Sequence, residues 1–409
     1  MQKRAAYYGL AVVTLLNFLN YIDRYIIAAV LPRMQSEMGL TNAQAGLLAT
    51  AFLVAYFITS PFFGALGDRT SRTRLMAFGV AAWSVATAAT GITGNFAQAV
   101  TARSFVGVGE AAYGTISPAL LSDYFPPRHR GRSFAIFYVA IPVGAAVGYL
   151  LGGLIEPVFG WRAAFYVVGL PGIVLALLAL TIPDPLRGAT EESRSAAPES
   201  VWATLRGFSR NRAYIGTVLG YAAYTFAVSG LAFWMPDYLE RVRGLDLARA
   251  NFVVAGVTVI AGLAGTFVGG YLGDWFSARM KHGQLWLCGI SSVAAVVPTF
   301  LALTVPSAPG YIVWLFIAEL LLFLSTGPVN VVIVSVVPVG ARAMAMAVSI
   351  FVIHLLGDAI SPPIIGALAD FSSLARAVLI VPAAVAITGF LWIATATGTA
   401  EHSGVFDGR

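Results

Sequence analysis

The chain is poor in charge and almost without cysteine. Only 11% of its 409 residues are Asp, Glu, Lys or Arg, against 58% hydrophobic, and mean hydropathy is +0.80. That shortage excludes a water-facing globule of this length, because charge has to cover the outside of one. The single cysteine, Cys288, excludes an internal disulfide and a cysteine-rich metal site. Gly-x-Ser-x-Gly, His-Glu-x-x-His and the P-loop are all missing, so hydrolase, zincin and ATP-driven pump chemistry have no carrier. The Gly-Asp pairs at 67–68, 273–274 and 357–358 lack the glycine two residues earlier that an intramembrane aspartyl protease pattern needs. The expectation is that the chain is not an enzyme. Its net charge of +6 is scattered over short segments rather than gathered in one block, which argues against a nucleic-acid partner.

What is present is a succession of apolar runs. Twelve can be drawn: 7–31, 43–66, 75–94, 97–123, 133–156, 163–182, 212–236, 249–273, 285–305, 310–336, 343–367 and 374–397. A spanning helix needs roughly 20 apolar residues, so twelve leave room for short loops and for no large soluble domain. The expected fold is an all-α polytopic membrane protein of twelve transmembrane helices. The start, with Lys3 and Arg4, resembles a signal peptide only superficially, because the run that follows is too long and holds Asp23 and Arg24; it is read as the first span, retained.

The one long polar interruption, 183–211, contains Pro183, Asp184, Pro185, Arg187, Glu191, Glu192, Arg194 and Pro198. It is read as a linker between a first half, 1–182, and a second half, 212–397, with a tail at 398–409. Within it, Pro198 to Arg210 has the makings of a short amphipathic helix on the membrane surface. Of the 25 Lys and Arg, two (Arg24 and Arg103) lie inside runs and six (Arg33, Arg162, Arg241, Arg243, Arg249, Arg376) fall on one side. The rest fall on the other, which places both termini in the cytoplasm of a multi-pass cell-membrane protein.

The two halves repeat. Gly64-Ala-Leu-Gly-Asp68-Arg-Thr-Ser-Arg72 follows run two, and Gly270-Tyr-Leu-Gly-Asp274-Trp-Phe-Ser-Ala-Arg279 follows run eight. Pro126-Pro-Arg128-His-Arg130-Gly-Arg132 after run four corresponds to Pro338-Val-Gly340-Ala-Arg342 after run ten. A repeat of this kind combined with buried charges favours alternating access over a channel, and twelve spans do not fit a seven-helix receptor.

Charges inside hydrocarbon are costly and have to face a partner or a watery cavity. Run one carries Asp23 and Arg24; run four carries Arg103 and Glu110. Arg103 and Glu110, seven apart, share a helical face, whereas adjacent Asp23 and Arg24 point about 100° apart and need different partners. A carboxylate in low dielectric can take a proton while arginine stays charged. Asp23 and Glu110 are therefore candidates for proton coupling, and Arg24 and Arg103 for an anionic headgroup; a static ion-pair network is the alternative. Run ten holds Glu319, either a cavity residue or an interhelical hydrogen-bonding group. Run eleven holds His354 and Asp358, four apart, for polar packing or gating or as a second proton site; two ligands are too few for a metal site. Tyr224, Phe226 and Trp234 in run seven are aromatic candidates for lining a substrate cavity, the alternative for each being a lipid-facing or core position. Gly144, Gly148, Gly152 and Gly153 in run five, and Gly256, Gly262, Gly265, Gly269 and Gly270 in run eight, form small-residue stripes suited to close helix packing.

Gly64 to Arg74, its second-half copy and Arg103-x-x-x-Gly107-x-Gly109 resemble the major facilitator superfamily. More narrowly, four segments resemble the Spinster family of lipid transporters: Asn20-Tyr-Ile-Asp23-Arg24-Tyr, Arg103-x-x-x-Gly-Val-Gly-Glu110-Ala, Phe137-Tyr-Val-Ala-Ile-Pro142-Val-Gly144 and His354-Leu-Leu-Gly-Asp358-Ala-Ile-Ser361-Pro362. The resemblance implies a bacterial homologue in the inner membrane, with helices one and four lining a central cavity. It also implies that Asp68 and Arg72 latch the cytoplasmic side near the N-terminus of helix eleven, with Asp274 as the pseudo-symmetric counterpart. The expected function is proton-coupled transport of a lysophospholipid- or sphingolipid-like amphiphile by alternating access; the alternative is proton-coupled export of drugs or organic anions. The expected partners are the substrate and membrane lipids, the expected cofactor none besides protons as coupling ion, and the expected state a monomer.

Overall fold

The structure is a computed structural model that describes residues 2–186, 201–338 and 341–402. Among these residues the only regular secondary structure is helix. In chain order the elements are α1 (Gln2–Met38), α2 (Asn42–Arg69), α3 (Arg72–Thr90), α4 (Phe96–Tyr124), α5 (Pro127–Ala179), α6 (Val201–Phe208), α7 (Arg212–Arg241) and α8 (Leu247–Ser277). They continue with α9 (Gly283–Thr304), α10 (Ala308–Phe323), α11 (Thr326–Ser335), α12 (Arg342–Ile353), a π-helical turn (His354–Asp358), α13 (Ser361–Phe371), α14 (Leu374–Ala377) and α15 (Ile380–His402).

Local sequence explains where helices begin. Thr41 accepts from the Gln44 N–H at 3.1 Å while Gln44 Oε1 takes the Thr41 N–H at 3.0 Å, a capping box that starts α2. Asn95 caps α4 in the same way, accepting from the Gln98 N–H at 3.0 Å. Runs five and six of the sequence both fall in α5, which is two helices abutting at a sharp bend: Gly160, with φ 77° and ψ 165°, is non-helical and adopts a conformation that only glycine takes freely. Among the described residues nine helices are long and apolar enough to cross a membrane, one being the 48-residue stretch Arg132–Ala179 that carries this bend. Helices α3 and α4, richer in Ala, Ser, Thr and Gly, are not among the nine. Many large apolar side chains face outward, such as Ile58, Phe62, Val158, Phe267 and Phe390, as lipid contact requires.

The chain forms two compact units, Met1–Arg194 with Met235–Gly256, and Ser195–Trp234 with Val257–Arg409. In the first, α1 packs along α5, α2 along α4, and α3 against both α4 and α5. The α5 glycine stripe makes the first contact possible: a Cβ on Gly144 would meet Tyr21 Cβ at 2.7 Å, and one on Gly148 would meet Ile22 O at 2.9 Å. The end of α7 and the start of α8 belong to this unit too. Asn251 Nδ2 donates to Ala29 O at 2.8 Å, and Arg33 reaches Glu156 at 3.1 Å and Glu240 at 2.7 Å. In the second unit α9 packs on α10 and α15. The part of the α8 stripe in this unit is only partly used: a Cβ on Gly265 or Gly269 would meet the backbone of Leu320 or Leu324, while one on Gly270 would meet open space.

Of the polar segment at 183–211, Pro183 to Leu186 follow α5, and Asp184 is tied to Arg72. Residues 187–200, with Arg187, Glu191, Glu192, Arg194 and Pro198, lie outside the described residues, as do 403–409 of the tail. The short helix expected before Arg210 is α6; Trp202 on it is exposed and Phe208 is buried.

Candidate transport site

The four charges expected inside the first unit come together. Arg24 Nε lies 2.9 Å from Glu110 Oε2, and Arg103 Nη1 lies 3.5 Å from Asp23 Oδ1. The pairing is crosswise: the neighbours on α1 each take the oppositely charged residue on α4. Asp23, Arg103 and Glu110 are buried, and Arg24 alone, with 22% of its side chain exposed, reaches accessible space. The pairs are incompletely satisfied. Arg103 Nε and Glu110 Oε1 have no hydrogen-bond partner among the described residues. In a buried cluster such atoms are costly.

Residues that carried no signal in the sequence complete the cluster. Thr87 of α3 donates its hydroxyl to Asp23 Oδ2. Phe52 of α2 lies under both guanidiniums, its ring centre 5.0 Å from Arg24 Cζ and 5.1 Å from Arg103 Cζ. Tyr21 and Tyr56 complete an aromatic box about Arg24 at 5.2 and 5.5 Å. Backbone contacts hold the helices around the site: Tyr113 of α4 donates to Val13 O at 2.7 Å, and Asn17 of α1 donates to Phe137 O at 2.9 Å.

The remaining candidates are elsewhere. Glu319 Oε1 is 3.5 Å from Thr258 Oγ1, an α10–α8 contact, and its Oε2 is buried without a hydrogen-bond partner among the described residues. His354 Nδ1 and Asp358 Oδ2 are 2.7 Å apart across the π-helical turn. A turn of that kind interrupts an α-helix at a local cost and recurs at functional sites. Trp234 is fully buried and donates Nε1 to Pro362 O at 3.0 Å; Tyr224 packs on Trp392 with ring centres 5.9 Å apart; Phe226 is buried. All three are core residues of the second unit here. Arg72 is buried and binds Asp123, Asp184 and the Pro185 carbonyl, joining the start of α3 to the end of α4 and the segment after α5. The side chain of Asp68 lies outside the described residues. Asp274 accepts from Gln284 Nε2 at 3.5 Å. Among the described residues no cluster of three His, Cys, Asp or Glu suits a metal.

Long apolar helices around a buried, balanced charge cluster define a membrane transporter. Comparison with known proteins agrees. Residues 13–357 match the family model of the Major Facilitator Superfamily. Protein spinster homolog 1 of Homo sapiens is 36% identical over 385 residues, covering 88% of this chain and 72% of the human protein. A Sphingosine-1-phosphate transporter of Xenopus tropicalis is 30% identical over 427 residues, covering 96% and 82%. Among solved structures, a bacterial homologue of the human lysosomal transporter Spinster, in an inward-facing and occupied conformation, aligns with a TM-score of 0.84 at 22% identity, over 95% of this chain and 96% of that one. A D-xylose-proton symporter aligns with a TM-score of 0.78 at 16% identity, over 94% and 97%. The chain belongs to the major facilitator superfamily and, within it, to the Spinster family.

Proposed function

We propose that this transporter moves a single-chain amphiphile with an anionic headgroup, of the lysophospholipid or sphingoid-phosphate type, and couples that movement to protons by alternating access. The observation that carries the reading is the crosswise cluster in which three charges are buried and Arg24 alone reaches accessible space. Breaking a buried ion pair without replacement costs about 3–5 kcal/mol. Each pair therefore opens only if its charges are compensated. A proton on Glu110 or Asp23 compensates the acid, and a substrate anion compensates the arginine. One exchange thus links the two ligands. A relative that transports sphingosine-1-phosphate supports the substrate class. The excess of Lys and Arg on one side supports cytoplasmic termini.

The test is uptake into proteoliposomes of labelled lysophospholipids and sphingosine phosphate, with and without a pH gradient. Acceleration by the gradient is expected for wild type and not for Asp23→Asn or Glu110→Gln. Unchanged gradient dependence in both variants would refute the coupling. Competition by soluble organic anions that leaves no lipid selectivity would instead favour an exporter of drugs or organic anions.

A further inference from the structure

Phe52 lies within stacking distance of both arginines, 5.0 Å from Arg24 Cζ and 5.1 Å from Arg103 Cζ, and Tyr21 and Tyr56 add rings at 5.2 and 5.5 Å from Arg24. It is 4% exposed, so these are contacts away from water, where attraction between a cation and a ring face is strongest. Its backbone is fixed as well. A Cβ on Gly107 would meet Phe52 O at 2.1 Å and Tyr56 N at 3.1 Å, so α2 and α4 touch main chain to main chain at this point. The ring is thereby registered against the helix that carries Arg103 and Glu110.

From this geometry we propose that Phe52 is a positioning residue. It holds both guanidiniums in place when their carboxylates let go, and so keeps the vacated arginines aimed at the substrate anion. The inference rests on the function proposed above and deepens it. Asp23 and Glu110 lose their grip once protonated, but a phenyl ring has no proton to gain, so its attraction for arginine persists through the exchange. An arginine stacked on a ring also keeps its N–H donors for oxygen acceptors, the carboxylate before exchange and the substrate anion after it. Without the ring, a freed arginine would swing to another partner and the anion would meet a disordered site.

Phe52→Leu keeps apolar bulk and removes the ring; Phe52→Tyr keeps the ring. In proteoliposomes Phe52→Leu is expected to raise the transport KM for the anionic lipid about tenfold, with the maximal rate changed far less, and Phe52→Tyr to restore it. A second measurement needs no substrate. Thermal unfolding of the purified protein, for Phe52→Leu combined with Arg24→Gln and with Arg103→Gln, is expected to be non-additive in both cycles. Additive cycles together with an unchanged KM overturn the proposal while leaving proton-coupled lipid transport intact. Non-additive cycles in a protein that transports none of the lipids refute the functional reading, and with it the positioning role, but leave the double stacking established.

Discussion

Thr87 on α3 gives its hydroxyl hydrogen to Asp23 on α1, across 64 residues of chain, and both side chains are buried. This bond ties a third helix to a charge cluster that otherwise belongs to α1 and α4. It satisfies the carboxylate oxygen that Arg103 does not hold.

Replacing Thr87 by valine keeps the shape and deletes the donor. A buried acceptor left unpaired costs about 1–3 kcal/mol, more when charged. Thr87→Val is therefore expected to melt several degrees below wild type in detergent and to transport more slowly, whereas Thr87→Ser stays close to wild type in both. Equal melting and equal transport in the valine variant would remove Thr87 from the site.

Arg72 carries a second prediction. The loop motif it belongs to is read in the sequence as part of a cytoplasmic latch. Here its guanidinium fastens three segments, the start of α3, the end of α4 and the stretch after α5, through Asp123, Asp184 and Pro185 O. Three acceptors around one planar fork are not matched by an ammonium. Arg72→Ala is expected to cost about 1–3 kcal/mol of stability, since it takes the guanidinium from Asp123 and Asp184 and leaves Asp184 only the backbone N–H at position 72. Arg72→Lys should recover only part of it, read as the denaturation midpoint of the purified protein.

The comparison of sequence and structure turns on what counts as an anomaly. Asp23, Arg24, Arg103 and Glu110 were legible because a charge within an apolar run has no innocent explanation. The seven-residue spacing of Arg103 and Glu110 placed them on one face, and the adjacency of Asp23 and Arg24 required separate partners. The crosswise pairing was not legible, since it depends on how α1 and α4 are rotated about their axes. Phe52 and Thr87 gave no signal at all: phenylalanine and threonine are ordinary in a spanning helix, and only the fold reveals what lies above the ring or beside the hydroxyl. Trp234 shows the reverse case. An aromatic residue in a span reads as cavity lining or core, and its bond to Pro362 O makes it core here. The grouping of Met235–Gly256 with the first unit was likewise invisible, because it follows from Arg33 reaching Glu240 and Asn251 reaching Ala29 O rather than from any break in composition.

His282, just before α9, gives a prediction with a pH sign. It is the one described non-glycine residue with positive φ, at 57°, and its Nε2 is buried without a hydrogen-bond partner among the described residues. Burial and the neighbouring Lys281 charge lower its pKa from the ordinary histidine value of 6.5. The unfolded chain therefore binds the proton more readily than the folded one. The contribution is fully favourable above about pH 6.5 and is lost as pH falls below it. His282→Asn, which tolerates the left-handed backbone and does not titrate, is expected to raise the melting temperature and to flatten its acid-side decline. A variant that melts lower than wild type at every pH would show that the imidazole makes a contact worth more than the strain.

Two glycines of the first unit separate a structural requirement from mere recurrence in a motif. Gly64 opens the repeated loop motif, yet a Cβ there would meet nothing nearer than Thr115 Cγ2 at 3.4 Å, an ordinary contact. Gly107 stands mid-helix, and a Cβ there would meet Phe52 O at 2.1 Å, a backbone atom that cannot rotate away. Alanine is the better helix former by roughly 0.8–1.0 kcal/mol, so Gly64→Ala is expected to leave the protein as stable as wild type or slightly more so. Gly107→Ala is expected to force α2 from α4, which withdraws Phe52 from both arginines and exposes the ion pairs to water. It should express poorly, melt several degrees lower and lose lipid transport. The two melting curves, measured side by side in the same detergent, decide the matter: a Gly107→Ala protein that melts like Gly64→Ala would mean that the α2–α4 contact yields without cost, and that the ring's registry with the arginines is looser than the close backbone approach implies.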